Sequence, residues 1–157
     1  MPGTDLQPSQ AGPSPHRRVG PQRGHLRDAA LLFEQVTGEV DVDREQWIGA
    51  VDAALRGLSD AWHVHVAFTE GPDGLFEELL DDSLEVAPEV DRLRRDHEVL
   101  EAHLVRAREL LASPSAGPDD TRVLQSLTGI AKQVDQHRRR GADLLYQVYS
   151  VDVSAGD

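Results

Sequence analysis

HVAFTEGPDGLFEELLDDSLEVAPEVDRLRRDHEVLEAHL, residues 65–104, decides how the chain folds. Its second half opens the clearest segment of the sequence. Val90, Leu93, His97, Leu100, Leu104, Ala107 and Leu111 recur at intervals of three and four. That is the spacing at which side chains share one face of a helix. Ala87-Pro88-Glu89 opens the segment, with proline where a first helical turn accepts it, and Ser113-Pro114 stops it. The first half of the stretch ends a preceding helix that starts near Arg44. There Ile48, Val51, Leu55, Leu58, Trp62 and His65 alternate in the same way, and Thr69 is the next position on that face. Gly71-Pro72-Asp73-Gly74 between the two reads as a turn, and GLFEELLDD after it as a short helical piece.

Two further helices lie outward from this pair. Before it, Leu26, Ala29, Phe33 and Val36 place a helix from His25 to about Gly38. Asp41, Asp43 and Glu45 alternate like the start of a calcium loop, but Gln46 stands where the loop needs glycine and Asp52 where it needs glutamate. Asp43 with Gln46 three residues on reads as a helix cap instead. After the central pair, SPSAGPDD is a loop, Asp119 or Asp120 caps the last helix, and Val123, Leu127, Ile130, Val134, His137, Gly141, Leu144 and Val148 form its apolar face. Four amphipathic helices with shortish loops predict an all-α, up-down-up-down four-helix bundle over residues 25–150. Residues 1–24 are rich in Pro, Gly, Ser and Gln and are expected to be a disordered tail, His16 within it being solvated; residues 151–157 form a short C-terminal tail.

Composition narrows the function. The chain has 157 residues, one core's worth, and no cysteine, which removes thiolate metal sites and cysteine catalysis. A net charge of −12 argues against a nucleic-acid partner. No apolar run is long enough to span a membrane, and no secretory signal is visible, so a soluble cytoplasmic protein is expected. Phosphate loops, nucleophile elbows and the Glu-x-x-His pairs of ferritin-like oxidases are missing. No catalytic residue is assigned, and a binding protein is expected rather than an enzyme.

The histidines carry the chemistry. His65, His97 and His137 fall on apolar faces, at levels that agree within one to two turns in an antiparallel bundle; His63 and His103 fall off those faces. Glu70 and Glu101 follow His65 and His97 within about one turn. A buried imidazole needs a partner for its ring nitrogens. A side chain or a water can serve; so can a metal held between helices. Arg138-Arg139-Arg140 reads as a solvated face paired with the acidic surface.

These segments together resemble the hemerythrin-like (HHE cation-binding) domain family over residues 25 to about 150. HVAFTEGPDGLF is similar to the family's second-helix motif, LRRDHEVLEAHL to the third around His97, and HRRRGADLLYQVY to the fourth around His137; His25 resembles the first-helix ligand. The resemblance implies non-haem iron in the bundle core, one or two atoms, that binds or senses oxygen or nitric oxide or holds iron. The implied metal set is His25, His65, Glu70, His97, Glu101 and His137. Thr69 stands where the family's bridging glutamate sits, and Gly141 and Ala142 where a carboxylate follows the fourth-helix histidine. The expected centre is therefore reduced: one divalent metal on His65, His97 and His137 with Glu70 or Glu101. The other reading of the same residues is a metal-free bundle that serves as a protein-interaction module.

Overall fold

The chain is all-helical in a computed structural model that describes the backbone of residues 15–39 and 41–155 and the side chains of residues 23–39 and 41–150. Four long helices, α1 (Pro15–Gly38), α2 (Arg44–Glu70), α4 (Ala87–Leu111) and α5 (Thr121–Ala155), are joined by the short α3 (Leu75–Asp82) and a single 3₁₀ turn at Leu84–Val86. Among the described residues no strand is formed, and no helix is long and apolar enough to cross a membrane. α1 packs along α2 and α4 along α5; contacts of α2 with α4 and of α1 with α5 close the bundle.

The α4 face predicted from spacing is buried at all seven positions, Val90 to Leu111. Its solvent side is dense in Glu, Arg and Ala, which lose little freedom in a helix. On α2 the buried face is wider than expected, with Trp47, Ala54, Ser59 and Ala61 added to Val51, Leu55, Leu58 and Trp62. That width suits a helix with α1 on one side and α4 on another.

Two boundaries differ from expectation. α1 begins at Pro15, ten residues before His25. Once the turn around buried Leu26 exists, each further helical residue adds one hydrogen bond, so propagation does not need apolar content of its own. The first fourteen residues of the expected N-terminal tail lie outside the described residues. α5 likewise runs on to Ala155, past the boundary expected at residue 150.

Local chemistry fixes the joints. Asp43 is the cap of α2, its carboxylate accepting from the backbone N–H of Glu45 and Gln46 at 3.1 and 3.4 Å. Asp120 accepts from the N–H of Arg122 at 3.0 Å at the start of α5. Arg44 then ties the α4–α5 loop to the start of α2, donating to the carbonyls of Ala116 and Pro114 at 2.8 and 2.7 Å. Replacing Asp43 with Ala should lower the urea midpoint by the equivalent of about 1 kcal/mol; an unchanged midpoint would deny the cap its role.

The break after α2 is sharp. Asp73 has φ 55°, a left-handed value that aspartate tolerates. At Gly74 a Cβ would lie 2.6 Å from the Gly71 carbonyl oxygen and 2.7 Å from that of Thr69, so only glycine fits. The turn folds α3 back so that Leu75, Phe76 and Leu79 are buried.

The core is in two parts. The larger joins Leu26, Phe33, Trp47, Leu55, Trp62, Leu100, Leu104, Leu127 and Ile130 with their neighbours from α1, α2, α4 and α5. The smaller joins Leu75, Phe76, Leu79, Val86, Val90, Leu93 and Leu144. His97 lies between Leu93 of one and Leu100 of the other, and His137 between Val134 and Leu144.

Candidate metal centre

α2, α4 and α5 each contribute one histidine to a single point. His97 and His137 are buried, 4% and 3% exposed, and His65 is partly buried. The Nε2 atoms of His65 and His137 are 2.9 Å apart, and those of His97 and His137 are 3.3 Å apart. Trp62 walls one side, with its ring centre 5.0–5.4 Å from all three imidazoles. Phe76 of α3 stacks on His97 at 5.7 Å, and the Arg94 guanidinium lies over the Phe76 ring, 5.8 Å from its centre.

The outer nitrogens show which atoms face the centre. Glu70, the last residue of α2, places a carboxylate oxygen on His97 Nδ1. Asp96 places one on His137 Nδ1 at 3.4 Å, and Asp96 is itself held by Arg140, whose Nη1 donates to its two oxygens at 2.7 and 2.8 Å. A carboxylate accepts, so it keeps the imidazole proton on Nδ1 and leaves Nε2 with a bare lone pair. His97 and His137 therefore aim two lone pairs at the same place. His65 Nε2–H can donate to His137; it cannot satisfy His97 as well. A buried acceptor left without a partner costs about 1–3 kcal/mol.

Protonation does not resolve this near neutral pH. Burial pushes His137 down to about 2 and His65 down to about 3, the neighbouring imidazoles adding to both shifts. His97 is lowered by burial too, against the opposing pull of its Glu70 hydrogen bond. Three neutral imidazoles whose Nε2 atoms converge could hold a metal ion, His65 turning its proton to Nδ1. The two distances from His137 are those of ligands on one ion: nitrogens about 2.1 Å from a common metal lie about 3.0 Å apart at a right angle and about 3.4 Å apart at the tetrahedral angle, and all three ligand atoms lie within 4.8 Å of one another. These three are the group of possible ligands found among the described residues.

The other residues expected at the centre lie elsewhere. Glu70 stands behind His97 rather than beside His65. Thr69 is buried at 2% exposure, but its hydroxyl is taken by its own helix, donating to the carbonyls of His65 and Val66 at 3.0 and 3.2 Å. Glu101 pairs at the surface with His63 Nε2 at 2.9 Å. His25 is exposed on α1, because neighbouring Leu26 takes the inward position and adjacent helical residues point about 100° apart. Sequence reasoning missed Asp96 and Arg140. Asp96 sits one residue before a core histidine, and only the placement of α5 beside α4 gives its carboxylate a target. Of the three consecutive arginines, Arg139 pairs with Asp135 at 3.0 Å and Arg140 holds Asp96.

No protein-family model, curated protein or solved structure gives a significant match to the chain.

Proposed function

We propose that the chain is a hemerythrin-like metal-binding protein, an up-down-up-down bundle in which His65, His97 and His137 hold one divalent ion. The observation that carries this reading is the convergence of three neutral Nε2 atoms at 2.9 and 3.3 Å, two of them backed by carboxylates. Such carboxylate–histidine pairs fix the tautomer and ring orientation of a metal ligand and raise its basicity.

Three protein ligands leave coordination positions open. Iron is the metal that the resemblance implies, and at an open site it would supply reversible binding of a diatomic ligand such as oxygen or nitric oxide. An all-imidazole set also accepts zinc and copper, so competition sets the occupant in a mixture. The chain's own residues supply the rest. Glu70 and Asp96 orient the donors, Arg140 holds Asp96, and Trp62 and Phe76 exclude water from two sides. With no carboxylate among the inner donors, a single ion is expected rather than a carboxylate-bridged pair.

Anaerobic incubation with ferrous iron, and separately with zinc and with copper, followed by desalting and elemental analysis, tests the reading. One iron per chain is the expected result. No retained iron, zinc or copper would overturn it and leave the metal-free interaction module.

A further inference from the structure

A cavity of about 480 Å³ opens against the histidines, between α1, α3 and α5. His65 and His137 form part of its wall, and a single ion does not account for a volume of this size. Phe68, Leu75, Phe76, Leu79, Leu144 and Leu145 make the lining predominantly apolar. The charged residues at the wall are Arg23 and Arg27 on α1 and Arg138, Arg139 and Asp135 on α5. Asp135 is engaged by Arg139. Arg23, Arg27 and Arg138 have no carboxylate partner among the described residues, although the chain as a whole carries twelve more negative than positive charges. Burial and the facing charge of Arg138 both weaken the hold of Arg23 on its proton. Guanidinium groups brought together at the edge of an apolar space, in a chain with abundant acid elsewhere, call for an anion from outside.

We infer that this cavity binds a small apolar acid, its carboxylate on Arg23 and Arg138 and its hydrocarbon body among the leucines and phenylalanines of α3 and α5. The size falls within the usual range for small-molecule sites, about 300–1,000 Å³. Gly141 lines the cavity, and a Cβ there would meet no atom within 4 Å, so a large side chain at this position has room to enter the space. The binding does not depend on a metal, because the acid's charge is met by arginine and not by the histidine centre.

Calorimetric titration of the full chain with decanoate and with decanol, before and after metal loading, tests this inference. Saturable 1:1 binding of decanoate is expected, at least about tenfold tighter than decanol and equal in the two metal states. The double variant Arg23→Gln/Arg138→Gln should lose that preference while decanol binding stays the same. Gly141→Phe should abolish binding of both while its helical signal and melting temperature hold. Equal affinities for the acid and the alcohol would overturn the assignment of the arginines. Undiminished binding in Gly141→Phe would overturn the location. Decanoate binding that appears only with metal and ignores the arginine substitutions would place the carboxylate on the ion and overturn the inference, leaving the metal reading intact.

Discussion

His137→Ala removes the one imidazole whose Nε2 approaches both of the others, and metal affinity should fall by at least about 100-fold. The size follows from comparison with outer-shell changes, which by themselves cost about 10–100-fold. Loss of an inner ligand exceeds that, since it also strands the lone pairs of His65 and His97 around an incomplete ion. Glu70→Gln is the matched control. It keeps the shape behind His97 and a possible acceptor oxygen but loses the charge, so stoichiometry should remain at one while affinity drops within the outer-shell range. Competition against a chromophoric chelator reads both variants. Equal affinity in His137→Ala and the wild-type chain would place any bound metal somewhere other than this cluster. The variant must be shown folded by circular dichroism, because removing a buried side chain also leaves a hole.

Acid should destabilise the metal-free protein well above the range where its carboxylates titrate. His65 and His137 stay neutral in the folded chain down to about 3 and about 2, whereas in the unfolded chain each takes a proton near 6.5. Above that value the two states bind the same number of protons at these groups, and the stability they permit is fully present. As the pH falls below it, the unfolded chain gains protons that the folded chain does not, so stability is lost with falling pH. Each histidine contributes a slope of about 1.4 kcal/mol per pH unit, and the two together approach about 3 kcal/mol per unit below pH 6. Urea midpoints measured at pH 7, 6 and 5 should therefore fall steeply, and His65→Gln should remove about half of the slope. A wild-type midpoint that stays level from pH 7 to 5 would contradict the burial of neutral imidazoles. Saturating metal should raise the curve, by about 2.7 kcal/mol at a hundred times the dissociation constant.

The bundle was legible in the sequence because one physical rule, the three-to-four spacing of apolar residues, governs it. The α4 face was readable to the last residue since no turn, glycine or proline interrupts Val90 to Leu111. The ends of α1 and α5 were not, because helix propagation is insensitive to the apolar content on which the reading relied. The three inner histidines were visible for the same reason as the leucines around them: they occupy core positions. Their supporting groups were not visible. Asp96 and Arg140 stand off the apolar faces, and nothing in their own helices distinguishes them from solvated charges until α4 and α5 lie side by side. Glu70 was legible as a neighbour but not in its role, because the turn at residues 71–74 ends α2 there and leaves its last carboxylate able to reach across to α4. His25 entered through the resemblance and not through spacing, which assigns the inward position to Leu26.

The placement of the histidines between two apolar clusters bears on how the molecule comes apart. A polar layer across a bundle interrupts the interlocking of side chains that makes unfolding all-or-none. The cluster built on α3, the first turns of α4 and the far part of α5 is therefore expected to open as a unit of its own while the larger cluster stays shut. An ion bound to α2, α4 and α5 at that layer would act as a rivet through the fault line. Its occupancy would then govern whether the bundle breathes in halves or opens as one body.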